Sequence, residues 1–277
     1  MLIHAMRGLG DSIYQRAFMK NLSADTFVDT PWPELLSDTP AKCVRPVTSL
    51  RTQAKNAARY SIWHTPPKGI ASRKIAYGKE GIINGMRRSF GIEPGAFDLP
   101  DFGPSLVSGR YVVVRPVSVR TEWRADSRNP LPEYIAFAAD EMIRRGYKVV
   151  SVADFEPGKE WPVGELPDAD IRFHHGELPV EELLALIQGA EAVIGGIGWI
   201  VPACIAAKVP AWIVCGGQGA YNHPKLITDS CMDLSKIHFA MPNNFCMCDQ
   251  KMHNCDKEIE GYESSFAEWA DRLPALV

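Results

Sequence analysis

The sequence predicts an α/β protein with two Rossmann-like, doubly wound domains that face each other across a cleft. Apolar runs alternate with helix-like segments in both halves of the chain. Residues 193–217 have the pattern strand, glycine turn, helix, strand, glycine turn. The two apolar runs in this stretch lack alternating polar residues, which is typical of strands buried on both faces of a parallel sheet.

The N-terminal half has the looser pattern of the two. It predicts strands at residues 2–6, 26–30, 42–47 and 73–77, and helices at residues 12–21, 33–37, 49–60 and 80–90. Residues 91–108 are rich in proline and glycine and form the best linker in the sequence. We therefore place one domain at residues 1–105 and the other at residues 106–277.

The C-terminal half alternates more clearly. It predicts strands at residues 111–116, 148–152, 171–174, 193–196 and 211–215, and helices at residues 132–145, 179–188, 200–207 and 262–276. Residues 118–130 are expected to form a charged loop, and residues 216–259 are irregular. The last helix could pack back on the N-terminal domain.

The composition narrows the functional classes. With 46% apolar and 23% charged residues, the 277-residue chain resembles an ordinary soluble protein. No apolar run approaches the ~18 residues of a membrane span, and no secretory signal is evident. These features favour a cytoplasmic protein. The net charge of −3 argues against nucleic-acid binding by the molecule as a whole.

A basic segment nevertheless lies in the N-terminal half. Residues 45–88 contain ten Lys or Arg residues and a single acid, Glu80. Such a segment can mark a phosphate-rich partner, or it can be a solvated surface.

The glycine turn after the strand at residues 193–196 is the first candidate site. Ligands of open parallel sheets bind at the carboxyl ends of strands, where Gly195, Gly196 and Gly198 lie. Free N–H groups at a following helix N-terminus suit a phosphate. The turn therefore indicates a nucleotide or nucleotide-sugar site, although the same glycines could serve only close packing.

A second glycine turn, Gly8-Leu-Gly-Asp11, follows the first strand. It lacks the third glycine of a dinucleotide fingerprint, because Ile13 occupies that position. A nicotinamide oxidoreductase is therefore a minor alternative. Asp11 could take a proton from an acceptor hydroxyl as a general base, or it could cap the helix.

Several motifs occur in an order that resembles glycosyltransferase family 9, the heptosyltransferase-like enzymes of the GT-B fold. They are Gly8-x-Gly-Asp11, Val112-Val-Val-Arg-Pro116, a strand-end acid near Asp154, Leu178-Pro-x-Glu-Glu-Leu, and Gly195-Gly-x-Gly-x-x-x-Pro-Ala. The resemblance covers most of residues 1–217. It implies inverting transfer from a nucleotide-diphosphate sugar, with the acceptor on the N-terminal domain, the donor on the C-terminal domain and no metal required for catalysis.

The resemblance also implies roles for individual residues. Asp11 would be the general base, and Asp154 or Glu156 would bind the nucleotide ribose. The donor diphosphate would meet a basic residue, best matched by Arg128 with Arg120 and Arg124 as rivals, and the glycines Gly195, Gly196 and Gly198.

The family usually has Asp-Ser-Gly or Asp-Thr-Gly where this chain has Gly-Ile-Gly, and Trp199 replaces a smaller residue. Trp199 could stack on the donor or simply pack.

The basic segment at residues 45–88 indicates what kind of acceptor would bind. Its predicted helix would present Arg51, Lys55 and Arg59 to the acceptor, beside Gly10. An acceptor bearing phosphates is therefore expected. It could be a saccharide, or DNA with a hydroxymethylated base, which would have to leave the stack. A non-catalytic nucleotide- or nucleic-acid-binding module is the alternative from a different class.

The seven cysteines do not suggest a disulfide framework. Four of them, Cys231, Cys246, Cys248 and Cys255, lie within 25 residues, with His253 among them. They could hold a structural zinc or iron, although the spacing is looser than that of paired CxxC motifs and free thiols are the alternative.

Overall fold

The first half of the chain forms a small parallel sheet flanked by helices. The computed structural model describes residues 1–274. The elements of this half are β1 (Leu2–His4), α1 (Leu9–Met19), β2 (Phe27–Asp29), a 3-10 helix (Pro33–Leu36), β3 (Lys42–Val44), α2 (Arg51–Arg59), β4 (Ser72–Lys74) and α3 (Ile82–Phe90). The strand order is β3-β2-β1-β4, and every pairing is parallel.

The second half forms a larger parallel sheet. Its elements are β5 (Tyr111–Val114), β6 (Ser118–Arg120), a 3-10 helix (Asp126–Arg128), α4 (Pro132–Arg144), β7 (Lys148–Val152), β8 (Glu160–Pro162), β9 (Ile171–Phe173), α5 (Val180–Gln188), β10 (Ala192–Gly196), α6 (Ile200–Ala207), β11 (Ala211–Val214), α7 (Gly219–Asn222), α8 (Pro224–Ile227), β12 (Ile237–Ala240) and α9 (Tyr262–Ala270). The six-stranded order is β12-β11-β10-β5-β7-β9. Read from β9, this is the doubly wound Rossmann order, with its crevice between β5 and β10.

The continuous apolar runs form the centre of the larger sheet, as their pattern predicts. All residues of β5 and β11 are buried, and β10 is buried except at Gly196. One apolar cluster continues from the face of this sheet into the N-terminal half, where α1 packs on α6. This shared cluster fixes the two sheets against each other around the space between them.

The last helix differs from expectation. α9 packs on α4 of the C-terminal half, where Phe137 contacts Phe266. On the same side of the sheet, Phe266 and Trp269 contact the buried ring of Trp212 in β11. It therefore does not cross back to the N-terminal domain. Its expected end at residue 276 lies outside the described residues.

Two further features bear on the predicted organisation. The expected loop at residues 118–130 contains β6, which pairs antiparallel with β8. Residues 91–110 contain neither helix nor strand, so the domain boundary at residues 105/106 remains a prediction within this segment. None of the helices within residues 1–274 is long and apolar enough to cross a membrane.

Candidate active site

A cleft of about 500 Å3 lies between the two sheets. Its walls come from the segments that follow the carboxyl ends of β1, β5, β7 and β10, because parallel strands end at one edge of their sheet. The predicted site residues that line it are Gly10, Asp11, Lys55, Arg59, Arg120, Arg128, Asp154, Gly196, Gly198 and Trp199.

Asp11 lies in the first turn of α1 at the wall of this cleft. Its carboxylate accepts a hydrogen bond from the backbone N–H of Gly8, the residue that precedes the helix. Burial raises the pKa of Asp11 from 3.8 to about 6, and the Gly8 hydrogen bond opposes this shift only in part. The N-cap of α1 is Gly8, so Asp11 lies inside the first turn and is not the helix cap, and its carboxylate lines the cleft.

The turn that carries Asp11 touches the glycine turn of the other domain. A β-carbon on Gly10 would lie 3.1 Å from Cα of Trp199 and 3.2 Å from Cγ of Pro202. Nearby, the Tyr14 hydroxyl donates to the carbonyl of Ile227 across 2.6 Å. A side chain at Gly10 would therefore crowd the opposing turn, and Trp199 packs at this junction.

The three glycines of the second turn have different surroundings. A β-carbon on Gly195 would lie 2.7 Å from Cδ1 of Ile200, so this glycine serves packing within the domain. Gly196 lines the cleft against Pro130, and Gly198 has no atom within 4 Å of the β-carbon position. The turn is open at Gly198, two residues before α6. At the start of this helix the Val201 N–H already donates to the Gly198 carbonyl at 3.2 Å, and Pro202 has no N–H, so the helix offers an anion its partial positive charge more than free donors.

A group of arginines lines or borders the C-terminal wall. Arg120 pairs with the buried Glu160 at 2.9 Å, and Arg115 lies 3.7 Å from the same carboxylate. Burial lowers the pKa of Arg115 to about 10, with Glu160 opposing the shift. Arg128 lines the cleft but makes no ion pair with a carboxylate anywhere in residues 1–274, and its buried Nε has no hydrogen-bond partner.

Arg124, the third candidate arginine of this loop, lies outside the cleft. Arg124 does not line the cleft, and its guanidinium is paired with Asp126 at 2.8 Å. Burial, together with the charge of Arg120, lowers the pKa of Arg128. Of the three candidate arginines, Arg128 is therefore the one without a carboxylate partner in the described part of the chain.

The predicted acceptor residues of α2 contact the opposite domain. Arg51 pairs with Asp154 at 2.7 Å and with Glu160 at 3.0 Å, and Lys55 pairs with Asp154 at 3.0 Å. Arg59 donates to the carbonyls of Gly176 and Leu178. One basic helix face thus bridges the cleft, and Asp154 is already engaged by two cations.

A compact group of soft ligands lies in the irregular segment before α9. The ligand atoms of Cys246, Cys248, His253 and Cys255 all lie within 4.8 Å of one another. Three thiols and one imidazole match the four-coordinate sulfur and nitrogen sets that hold zinc or iron. The residues therefore fit a structural metal, with His253 as the fourth ligand in place of the predicted Cys231.

Cys231 lies apart because the loop after α8 holds it. Its thiol is 3.5 Å from Arg87, and its backbone N–H donates to Asp229. This contact draws it towards α3, away from the other three cysteines.

Sequence reasoning missed several cleft residues. Arg115 directly follows β5, so its position at a strand end was a usable signal. Asn222 reaches the cleft from α7, within a stretch that had no periodic pattern. Trp123, half-exposed at the rim, had no recognisable signal at all.

No protein-family model matches the sequence, and no curated protein sequence matches it either. Solved structures do match. The iron-containing dodecameric glycosyltransferase TibC from enterotoxigenic E. coli H10407 is 15% identical, with a TM-score of 0.65 over 98% of this chain and 75% of that one. TibC has also been solved in complex with ADP-D-β-D-heptose, with a TM-score of 0.62 at the same identity and coverage.

Two further structures match along almost their whole length. The family 9 glycosyltransferase of Veillonella parvula DSM 2008 is 11% identical, with a TM-score of 0.55 over 98% of this chain and 96% of that one. The E. coli ADP-heptose lps heptosyltransferase II is 12% identical, with a TM-score of 0.53 over 98% and 99%. The predicted GT-B-like fold is confirmed, and the resemblance to glycosyltransferase family 9 holds at the level of fold.

Proposed function

We propose that the protein is an inverting glycosyltransferase that moves a sugar from a nucleotide-diphosphate sugar to an acceptor hydroxyl. The observation that carries this proposal is the contact between the Asp11 turn and the turn at residues 196–199. At this contact a carboxylate with a raised pKa and a wall that carries arginines face the same cleft. Solved proteins with a similar fold are glycosyltransferases, which supports glycosyl transfer as the reaction class.

Asp11 acts as the general base. Its carboxylate takes the proton of the acceptor hydroxyl while that oxygen attacks the anomeric carbon from the face opposite the leaving diphosphate. A single displacement of this kind inverts the anomeric configuration. A pKa of about 6 suits the role, because Asp11 is mostly ionised at neutral pH and still a better base than an exposed aspartate.

The leaving diphosphate is stabilised by the C-terminal wall. Within residues 1–274 Arg128 has no ion-pair partner, and it lines the cleft, so it contacts the diphosphate directly. Arg115 and Arg120 add positive charge around Glu160. The N-terminus of α6, which follows the turn at Gly198, adds the partial positive charge of a helix dipole. These groups neutralise the charge that develops on the diphosphate, and no catalytic metal is needed for that task.

The remaining parts of the substrates have less specific contacts. The ribose of the donor binds Asp154 at the end of β7, where Lys55 shares the carboxylate. Lys55 and Arg59 also line the N-terminal wall, where phosphates on an acceptor would compete for them with Asp154 and with the carbonyls of Gly176 and Leu178. The Cys/His cluster holds a structural metal outside the chemical step.

The test is a donor screen followed by a transfer assay. Nucleotide sugars that bind the folded protein raise its melting temperature, and ADP-, UDP-, GDP-, CMP- and dTDP-sugars are compared with NAD. The donor that binds is then incubated with phosphorylated oligosaccharides and with hydroxymethylated DNA, and NMR assigns the anomeric configuration of the product. A retained configuration would refute the single displacement, and donor binding without transfer to either acceptor class would favour the binding-module alternative.

A further inference from the structure

The Cys/His cluster contacts the loop that carries Arg128. Ser127, the residue before Arg128, is fully buried. Its hydroxyl accepts a hydrogen bond from the backbone N–H of His253 at 2.6 Å and donates to the carbonyl of His253 at 3.3 Å. Its own backbone N–H donates to the carbonyl of Lys251 at 3.1 Å. Ser127 is therefore held by the segment that supplies the metal ligands.

Further contacts make the two segments one unit. The N–H of Gly217, which follows β11, donates to the carbonyl of Ser127 at 2.7 Å. A β-carbon on Gly217 would lie 2.7 Å from Cβ of Cys255, so the cluster sits directly against this turn. Lys257 donates to the carbonyl of Asp126 at 2.9 Å. The 3-10 helix is thus fixed on one side by the cluster segment.

The cluster segment is held by scattered hydrogen bonds, such as those from the N–H groups of Gly219 and Ala220 to the carbonyls of Cys246 and Cys248. Residues 241–260 contain no helix or strand. A metal bound by Cys246, Cys248, His253 and Cys255 would close this segment, since four ligand atoms are brought to one point. The Arg128 side chain has no ion pair of its own within the described residues. Its direction therefore depends on the backbone that Ser127 anchors.

We propose that the Cys/His cluster positions Arg128 for the donor diphosphate, with Ser127 as the positioning residue between them. This inference rests on the proposed donor site. It assigns the cluster a role in ligand recognition at a distance from the ligand. It also predicts a specific signature, because Arg128 serves the diphosphate and not the nucleoside. Loss of the metal should weaken the binding of a nucleoside diphosphate more than that of the monophosphate.

The experiment compares ADP and AMP affinities by isothermal titration. The proteins are the parent with its metal as purified, the parent stripped by a chelator, Ser127→Ala and Arg128→Gln, with metal content measured by mass spectrometry. Stripping and Ser127→Ala should each reduce the preference for ADP over AMP about tenfold, the loss expected when a hydrogen bond to a charged group is misplaced. In Arg128→Gln the preference should already be lost, and stripping should change it no further.

A matched control is Ser264→Ala, which removes the same atom from an exposed position at the start of α9. It should keep the ADP preference of the parent. Ser127→Ala retains all four metal ligands, so it decides the question if the stripped protein unfolds. A preference for ADP that survives both stripping and Ser127→Ala would overturn the positioning role alone. Failure of the metal-loaded parent to bind ADP, UDP or GDP would instead refute the proposed function and the positioning role with it.

Discussion

Replacing Asp11 with asparagine should slow sugar transfer strongly and stabilise the protein. Burial raises the pKa of this carboxyl from 3.8 to about 6, a shift of about two units. Each unit corresponds to about 1.4 kcal/mol, so the ionised carboxylate costs the folded state at most about 3 kcal/mol at neutral pH. Asparagine has nearly the same shape and keeps an oxygen for the Gly8 N–H, but carries no charge.

The gain in stability should depend on pH with a defined sign. Because the folded pKa of Asp11 is higher than the unfolded value, the unfolded chain ionises first as pH rises. The free energy of unfolding of the parent therefore falls between about pH 4 and pH 6, and that of D11N does not share this loss. The variant should be more stable by up to about 3 kcal/mol above pH 6 and equal to the parent below pH 4.

Urea unfolding at pH 4, 5, 6 and 7.5 measures this difference. D38N is the matched control, because Arg16 donates to Asp38 and lowers the pKa of its carboxyl. That variant should lose stability at pH 7.5 and approach the parent as pH falls. Sugar transfer by D11N should fall by about 10²- to 10⁴-fold. An equal stability difference at pH 4 and pH 7.5 would refute the burial argument, and near-parental transfer would refute the role as base.

Three further predictions concern donor binding at the C-terminal wall, stability at the domain junction and metal binding by the Cys/His cluster. Arg128→Gln should weaken donor binding at least tenfold in a titration. Arg124→Gln should leave the donor affinity within twofold of the parent, since Arg124 is paired with Asp126 and does not line the cleft. Gly10→Ala would bring a methyl carbon within 3.1 Å of the opposing backbone and should lower the free energy of unfolding by about 1–3 kcal/mol in urea. His253→Ala should reduce the bound metal measured by mass spectrometry, whereas Cys231→Ser should retain it.

The fold was predictable because its strands have a strong pattern. The apolar runs of β5, β10 and β11 follow from burial on both faces, and their alternation with helices leaves few topologies for a parallel sheet. β6 and β8 were not predicted. They have three residues each and pair across 44 positions of sequence, from Ser118 to Pro162, so neither segment alone has a recognisable period.

The candidate site was predictable where chemistry and strand ends coincide. The Asp11 turn and the glycine turn at residues 196–198 each follow a strand, so both had to lie at a carboxyl edge. Arg128 was chosen by resemblance, and its unpaired state in the cleft became visible only in three dimensions. Ser127 gave no sequence signal, because its contacts are with backbone groups more than 120 residues away.

The basic face of α2 shows why charge alone could not identify the acceptor. Arg51, Lys55 and Arg59 recur every four residues, so the sequence places them on one helix face. It does not show that their partners lie about a hundred residues further on. Burial alone would raise the pKa of Asp154, but Lys55 and Arg51 outweigh it and lower that pKa.

These ion pairs change what the basic segment at residues 45–88 can mean. The charge of Arg51 is balanced by Asp154 and Glu160 across the cleft, so it is not free to attract a nucleic-acid backbone. In the proposed site a donor ribose at Asp154 would share that carboxylate with Lys55 and Arg51, which would link donor binding to the contact between the domains. Electrostatic support for a DNA acceptor is therefore limited to the basic residues outside α2. The basic face of α2 instead joins the two walls of the cleft, and the space between them suits a small donor.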